Sequence, residues 1–399
     1  MSLLVTGVDT IAIASSAKRA GYTVYAVDYF GDIDLQRVCS EYVAIIKQEK
    51  GKSCGLFSSN FKPEKFLEMA NVLIKKHEIN WMLLSSGLDD HFEILYELND
   101  LIPILGNSPS VIQKVREKPK FFDALKKLNV PHPETVIASN LLEAKAAAAE
   151  IGYPVITKPT EGFGGTNVRL ARDSRELERA FSEVSALGSS VLVQKFIDGI
   201  HASISILATD KNVAVLSINE QLLGLHSVFQ REPFGYCGNV VPMRVSSSTF
   251  KKCKATAEKI AFCFGLKGSN GIDIVISRNG MPYVIEVNPR FQGTAECVEN
   301  VLGVNIVESH INACLYGVLP PIKNMQHIFC TRLILYAPKR VSIPNLLAIK
   351  EARDIPAPES IIEEGEPLCS ILATGKTRNS SFKNAKKMAD TVYNKLRPA

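Results

Sequence analysis

Two carboxylates flank a short turn between residues 271 and 290, and their spacing could serve a metal ion. Asn279 and Gly280 separate two runs of alternating apolar residues, which is the strongest short-range signal for a β-hairpin. If these two residues form a two-residue type I′ turn, Asp273 lies directly opposite Glu286. Opposed like charges repel, so the arrangement indicates either a solvated polar hairpin or a bound cation.

The side-chain period of a strand extends this patch. Glu286, Asn288 and Arg290 fall on one face of the second strand, the face that carries Asp273 if the pairing is correct. Oxygen ligands of this kind suit Mg²⁺, which prefers one or two carboxylates together with substrate phosphates. The sequence therefore predicts Asp273, Glu286 and Asn288 as metal ligands.

A glycine-rich loop lies between two strand-like segments, YPVITKP and VRLAR. Gly162, Gly164 and Gly165 would let backbone N–H groups approach an anion without obstruction by a Cβ atom, and Lys158 adds a positive charge at the strand end. We expect a β-hairpin that covers phosphates. A flexible hairpin tip with an ordinary surface lysine is the alternative.

The segment VLVQKFIDG predicts a strand that ends in free backbone donors and acceptors. Such an end can pair with the edge of a purine, while Phe196 and Ile197 offer apolar surface to the ring. The alternative is a buried strand with no ligand.

These segments need elements that position them. The first 107 residues alternate short apolar strands with helical patterns, an order that predicts a parallel sheet with ligands at the carboxyl ends of its strands. Asp9, Asp28, Ser86 and Asp90 would line that edge. No G-x-G-x-x-G follows Gly7, which argues against a nicotinamide or flavin cofactor.

Composition limits the remaining possibilities. The chain has 399 residues, a length typical of two or three domains, with 46% hydrophobic and 22% charged residues. A net charge of +5 without a compact basic block argues against a nucleic-acid partner. Nine scattered cysteines, no signal segment and no long apolar run favour a cytoplasmic protein without a membrane span.

Taken in order, these motifs resemble the ATP-grasp superfamily, most strongly over residues 108–300. The resemblance implies an α/β fold, α+β in its later parts, with a Rossmann-like pre-ATP-grasp domain over residues 1–107 and an ATP-grasp domain over 108–320. Within the latter, a lid subdomain would span about 130–197 and a metal-site subdomain about 198–320. Residues 321–399 resemble the C-terminal module of biotin carboxylases, and the whole chain is similar to little-characterised archaeal ATP-dependent carboligases.

The resemblance also implies roles for individual residues. Lys158 and Arg290 would be catalytic, the metal ligands would hold one or two Mg²⁺ or Mn²⁺ ions, and ATP would contact a larger set: Lys118, Lys158, Gly162, Gly164, Gly165, Gln194, Lys195, Phe196, Ile197 and His201. His201 stands where many members carry a glutamate that accepts the ribose hydroxyls, so ribose recognition is expected to differ.

The implied reaction joins a carboxylate to an amine through an acyl phosphate. Asp9, Asp28, Ser86, Arg231 and Arg244 are candidate substrate contacts, although either arginine could equally be a surface residue. We expect an amino acid or a cofactor precursor as substrate, and a homodimer is possible. The alternatives are a bicarbonate-dependent carboxylase, a non-catalytic nucleotide-binding protein, and a structural α/β protein.

Overall fold

The N-terminal residues form a four-stranded parallel sheet flanked by helices. A computed structural model describes residues 1–162, 164–186, 190–321 and 327–399. The elements are β1 (Ser2–Gly7), α1 (Ile11–Arg19), β2 (Thr23–Asp28), a 3₁₀ helix (Ile33–Arg37), β3 (Glu41–Ala44), α2 (Phe57–Asn60), α3 (Glu64–Lys76), β4 (Trp81–Leu84) and α4 (Phe92–Leu101). The strand order β3-β2-β1-β4, parallel throughout, confirms the prediction.

Two helices lead from this sheet into the rest of the chain, α5 (Pro109–Arg116) and α6 (Lys118–Lys127). The break between the two helices is at Glu117, whose backbone is extended, and not at the nearby Pro119. Pro119 lies in the first turn of α6, where the missing N–H of proline has no partner to lose. Lys118 is therefore the first residue of a helix rather than the last residue before a break.

A second, smaller sheet carries the glycine-rich loop. Its elements are β5 (Thr135–Ala138), α7 (Leu141–Ile151), β6 (Val155–Pro159), β7 (Arg169–Ala171), α8 (Ser174–Ser185) and β8 (Val191–Lys195). The strands run in the order β5-β8-β6-β7, and β6 pairs antiparallel with β7. The predicted hairpin around the glycines is thus confirmed.

The third sheet of the molecule is large and antiparallel. Its part of the chain contains β9 (Gly199–Ala208), β10 (Val213–Leu223), a 3₁₀ helix (His226–Val228), β11 (Tyr236–Val241), α9 (Ser247–Phe264), β12 (Gly268–Ser277), β13 (Pro282–Asn288), α10 (Ala295–Leu302) and α11 (Ile306–Tyr316). The remaining elements are β14 (Phe329–Tyr336), β15 (Val341–Ser342), β16 (Ala352–Arg353), β17 (Ile361–Ile362), β18 (Pro367–Gly375), α12 (Arg378–Tyr393) and β19 (Arg397–Pro398).

This large sheet joins the predicted metal-site subdomain to the C-terminal residues. Its order is β13-β12-β9-β10-β11-β14-β18-β16, so β14 and β18 continue the sheet that begins with the candidate metal site. A small sheet, β17-β15-β19, closes the C-terminal end. The predicted domain limits at residues 107 and 320 remain predictions.

The two faces of the large sheet have different characters. On one face, alternate residues of β9, β12 and β13 pack with α6 and α9 in a hydrophobic core that includes Ile204, Ile272, Ile274 and Val284. The period of two then turns Ser203, Asp273 and the other intervening residues to the opposite face. Burial of the apolar side chains thus fixes a polar face on which a site can form.

Candidate active site

The hairpin β12–β13 places Asp273 opposite Glu286, as the sequence predicted, but through a different turn. Ser277 N–H donates to the Met281 carbonyl (3.0 Å), so the loop has three residues, and of Asn279 and Gly280 only Gly280 has positive φ (73°). The predicted two-residue type I′ turn is therefore wrong.

A bulge in the hairpin compensates for the longer loop. Ile274 pairs with Val284, whereas Asp273 pairs with Glu286, which leaves Ile285 as the extra residue of β13. Val284 and Val287, three residues apart, can both reach the core because of this bulge. The longer loop shifts the pairing by one residue and the bulge shifts it back, so Asp273 and Glu286 still oppose each other.

Polar partners hold Asp273 in position. The Asn288 amide donates to Oδ2 (3.0 Å) and the Gln221 amide donates to Oδ1 (2.9 Å). Loss of water in the cleft raises the pKa of Asp273, and the facing Glu286 raises it further. A divalent cation would relieve that repulsion.

Cations surround Glu286. The Lys118 ammonium lies 3.4 Å and Arg116 Nη1 3.6 Å from the same oxygen, Oε2. Although burial raises the pKa of Glu286, the charges of Lys118, Arg116 and Lys158 outweigh burial and hold it below its usual value. Glu286 is therefore ionised, and Asp273, Glu286 and the Asn288 amide oxygen form a donor set that fits Mg²⁺ completed by phosphates. No group of three or more His, Cys, Asp or Glu residues suited to a metal occurs in the described ranges.

Lys118 and Lys158 are two neighbouring cations that could bind a polyanion. Lys118 is 6% exposed, and burial together with the nearby Arg116 lowers its pKa. Lys158, at the end of β6, has its pKa lowered to about 8, first by burial and then by the neighbouring Lys118. Binding of an anionic phosphate would stabilise the charged forms of both lysines.

The lowered pKa of Lys158 predicts an alkaline limit to nucleotide binding. Above about pH 8 the ammonium loses its proton, so the affinity for Mg·ADP should fall by about tenfold per pH unit in the wild type. The Lys158→Arg variant stays charged, so its affinity for Mg·ADP should not fall in this pH range. Calorimetric titrations between pH 6.5 and 9.5 would measure the affinity of both proteins. The same alkaline loss of affinity in both would contradict a role for Lys158 in binding the phosphates.

Arg290 is held by the N-terminal residues. Its Nε contacts both oxygens of Asp89 (3.1 and 3.0 Å), Nη1 donates to the Phe291 carbonyl (3.0 Å) and Nη2 to Asn288 Oδ1 (3.3 Å). Each terminal nitrogen keeps a second N–H for a ligand. Arg290 is thus fixed next to the carboxylate pair.

The glycine-rich loop contacts two neighbouring segments. Gly162 N–H donates to Asp90 Oδ2 (3.2 Å), and Gly164 accepts from Tyr236 N–H (2.9 Å). Gly165 has φ of 70°, and a Cβ atom there would collide with the Phe234 carbonyl. Phe163 lies outside the described residues. Gly165 therefore permits a close approach to the backbone of Phe234.

A matched pair of variants tests that approach. Gly164 and Gly165 share a φ of 70°, but a Cβ at Gly164 meets nothing within 4 Å. We expect Gly164→Ala to cost only the left-handed conformation, about 1 kcal/mol or a fivefold faster exchange of the Tyr236 amide. Gly165→Ala adds a clash and should accelerate that exchange by at least about tenfold more. Equal hydrogen exchange in the two variants would show that the contact with Phe234 is unimportant.

The predicted adenine segment lies on β8 and just beyond it. Gln194 is buried and its amide donates to Thr135 Oγ1 (2.8 Å), while the Lys195 ammonium donates to the Gly152 carbonyl (2.7 Å) at the end of α7. Both side chains have partners within the smaller sheet and its helices, so only backbone groups and the side chains of Phe196 and Ile197 remain available to a purine. The Phe196 N–H donates to the Pro154 carbonyl (3.1 Å), which leaves fewer free donors than the sequence suggested.

His201 lies on β9 opposite Val275 and contacts Phe234 edge to face (centroids 6.1 Å apart). Burial lowers its pKa, so the ring is neutral at physiological pH. A neutral imidazole can still accept one hydrogen bond from a ribose hydroxyl.

The weaker substrate candidates separate into two groups. Asp9 accepts from the Arg332 guanidinium (2.6 Å), whereas both oxygens of Asp28 are used by Thr10 and by the backbone of residues 30 and 31. Ser86 accepts from Val8 N–H through its carbonyl. The two arginines are exposed: Arg231 pairs with Glu364, and Arg244 lies over the Phe329 ring at 5.0 Å. Asp9 is the member of this set that keeps an unused oxygen, Oδ1, among the described residues.

Sequence reasoning missed four side chains that shape the site, Arg116, Asp89, Gln221 and Arg332. Asp89 follows β4 at the carboxyl edge of a parallel sheet, a position that could have indicated it. Gln221 could have been found only by knowing that β10 lies two strands from β12, with β9 between them. Arg116 and Arg332 gave no local signal, because their partners are distant in sequence.

Comparison with known proteins agrees with this geometry. Residues 115–294 match the ATP-grasp domain family. The chain is 27% identical to an uncharacterised protein of Methanocaldococcus jannaschii over 98% of its own length and 91% of that protein. It is 30% identical to the carbamoyl phosphate synthase large chain of Clostridium acetobutylicum over 52% of its own length, but it spans only 19% of that relative.

Solved structures show the same fold. Biotin carboxylase from Campylobacter jejuni superposes with a TM-score of 0.76 at 20% identity, over 99% of this chain and 91% of that one. The L-amino acid ligase from Bacillus licheniformis gives 0.71 at 16% identity, over 99% and 97%. The chain thus has the ATP-grasp fold and carries an ATP-grasp domain at residues 115–294. Its sequence is also similar to part of the carbamoyl phosphate synthase large chain. Across the part of the chain that the structure describes, no helix is long and apolar enough to span a membrane.

Proposed function

We propose that this protein is an ATP-dependent carboxylate–amine ligase that forms an amide through an acyl phosphate and releases ADP and phosphate. The observation that carries the proposal is the opposed pair Asp273 and Glu286 beside Lys118, Lys158 and Arg290. Carboxylates for a metal, together with cations for a polyanion, are the parts that phosphoryl transfer needs.

The nucleotide would lie across the polar face of the large sheet. Lys118 and Lys158 would hold its α- and β-phosphates, and the backbone of the glycine-rich loop would cover them. The Mg²⁺ held by Asp273, Glu286 and Asn288 would neutralise charge that accumulates on the phosphate oxygens. Catalysis would depend on the positions of the bound substrates and on stabilisation of negative charge, without a protein nucleophile.

The chemistry would proceed in two displacements. An oxygen of the substrate carboxylate attacks the γ-phosphorus, the bond to the β–γ bridging oxygen breaks, and ADP leaves with that electron pair. The ammonium group of the second substrate first loses a proton to solvent. The free amine nitrogen then attacks the acyl carbon, the bond to the phosphate oxygen breaks with its electron pair on the phosphate, and the nitrogen loses a second proton to solvent. The spare N–H groups of Arg290 would face the oxyanion that develops in either step.

The surroundings of Arg332 favour a cationic amine as the second substrate. Asp9 and Asp354 both contact Arg332 Nη2 (2.6 and 2.7 Å), so one guanidinium faces two carboxylates. Two carboxylates around one guanidinium leave excess negative charge, which attracts an ammonium group. An amino acid or a diamine fits this charge.

A bicarbonate-dependent carboxylase is the second candidate. The likeness to biotin carboxylase extends over 99% of the chain, including its C-terminal strands, and favours this alternative. The carboxylase reaction would use the same carboxylates and lysines, with bicarbonate in place of the organic carboxylate that attacks the γ-phosphorus.

Release of ADP and phosphate from Mg·ATP separates these possibilities. The purified protein would be incubated with pools of carboxylates and amines, singly and in pairs, and with bicarbonate, with Glu286→Gln as the blank. The proposal predicts release that requires both a carboxylate and an amine. Release with bicarbonate alone would contradict it in favour of the carboxylase, and nucleotide binding without release in any combination would favour a non-catalytic protein.

A further inference from the structure

Arg116 places a buried guanidinium within the phosphate region. It is the last residue of α5, its side chain is 4% exposed, and its fork holds Asp90 through Nε to Oδ1 (2.6 Å) and Nη2 to Oδ2 (2.7 Å). Nη2 also reaches the Gly162 carbonyl (3.5 Å). One side of the fork is therefore fixed by the N-terminal residues and by the glycine-rich loop.

The other side of the fork is free. Nη1 donates no hydrogen bond to the residues that the structure describes, and its nearest acidic group is Glu286 Oε2 at 3.6 Å. Lys118 approaches that same oxygen at 3.4 Å. Two cations thus share one carboxylate oxygen at distances longer than the roughly 2.7–2.9 Å of a well-formed charged hydrogen bond, so both would gain from a closer acceptor.

The role of Glu286 decides what that acceptor is. If Glu286 coordinates a metal, its oxygens turn their charge to the metal, and Arg116 Nη1 and Lys118 lose their anion. The guanidinium stays paired with Asp90, but Nη1 would become a buried donor without an acceptor. A buried donor without an acceptor is costly, so an acceptor must arrive with the metal. Phosphate oxygens bound to the same metal would supply it.

We infer that Arg116 is a third cationic ligand of the nucleotide, which contacts the γ-phosphoryl group through Nη1, with Asp90 as the residue that positions its fork. Lys118 and Lys158 would serve the α- and β-phosphates, so the guanidinium beside the metal ligand Glu286 faces the phosphoryl that is transferred. Arginine suits this task because it cannot lose its proton and presents its donors in a rigid plane. The inference rests on the proposed nucleotide site and adds the residue that recognises the third phosphate.

Affinity for two nucleotides tests the inference without knowledge of the other substrates. We expect Arg116→Gln to weaken binding of the Mg²⁺ complex of a β,γ-methylene ATP analogue about 10- to 100-fold, the effect of losing a charge-assisted hydrogen bond. Binding of Mg·ADP should change by less than about threefold, a shift of under 1 kcal/mol. The control is Arg378→Gln, which breaks a similar two-point contact with Glu220 (3.0 and 2.6 Å) and should alter neither affinity.

The contrary results are distinct. Equal weakening of both nucleotides, or of neither, would overturn the role of Arg116 and leave the proposed function intact. A wild-type protein that binds neither nucleotide would overturn both. If Arg116→Gln does not fold, Arg116→Lys keeps the charge but loses the fork, and a loss of about tenfold confined to the ATP analogue is then expected. An unchanged ratio of the two affinities in that variant would overturn the inference.

Discussion

Glu286→Gln should lose at least about 1,000-fold in ATP turnover, because a metal contributes several kcal/mol of charge stabilisation in phosphoryl transfer. Glutamine has nearly the same shape and keeps one oxygen, so the hairpin and its hydrophobic face should remain intact. The loss would follow from the missing negative charge, which both the metal and the cations Lys118 and Arg116 require.

Binding separates this cause from a general defect. Without metal, the variant should bind ADP at least as tightly as the wild type, because removal of Glu286 frees two cations for phosphate. The gain in affinity on adding Mg²⁺ should disappear. Glu258→Gln, on the exposed surface of α9, is the matched control and should behave as the wild type. A Glu286→Gln protein that retains Mg²⁺-dependent tightening would exclude Glu286 as a ligand.

Lys158→Met should reduce kcat/KM for ATP by about 100- to 1,000-fold, the usual effect of removing one donor from a developing oxyanion. Methionine fills a similar volume, so the strand β6 should keep its packing.

The control for this variant is another lysine of the same part of the chain. Lys145→Met removes an ammonium of α7 that pairs with Glu178 of α8. That change should alter thermal stability only slightly and leave kcat/KM within a few fold. If Lys145→Met impairs turnover as strongly as Lys158→Met, charge at the phosphates is not the reason for either loss.

The elements that carry the site could be predicted because each rests on a local pattern. Ile272 and Ile274, on either side of Asp273, belong to the hydrophobic core and so fix the opposite face for Asp273, and positive φ restricts the loop at Gly164 and Gly165. The same local reasoning gave the wrong loop length at Asn279 and Gly280. Asp273 still faces Glu286, because the bulge at Ile285 restores the pairing that the longer loop shifts.

What the sequence could not provide was contact between distant segments. Asp89 and Asp90 are adjacent in the chain, yet one holds Arg290 and the other Arg116, at separations of 201 and 26 residues. No periodicity encodes such pairs, since they depend on how the parallel sheet docks on the large one. The same holds for Arg332, which links Asp9 to Asp354.

The transfer of an isotope from carboxylate to phosphate tests the proposed reaction most directly. Pools of carboxylates labelled with ¹⁸O would be supplied with amines and Mg·ATP, and the released phosphate analysed by mass. Formation of an acyl phosphate predicts one ¹⁸O atom in each phosphate, dependent on the amine and absent with Glu286→Gln. Unlabelled phosphate, or release that requires bicarbonate in place of both substrates, would contradict a carboxylate–amine ligase.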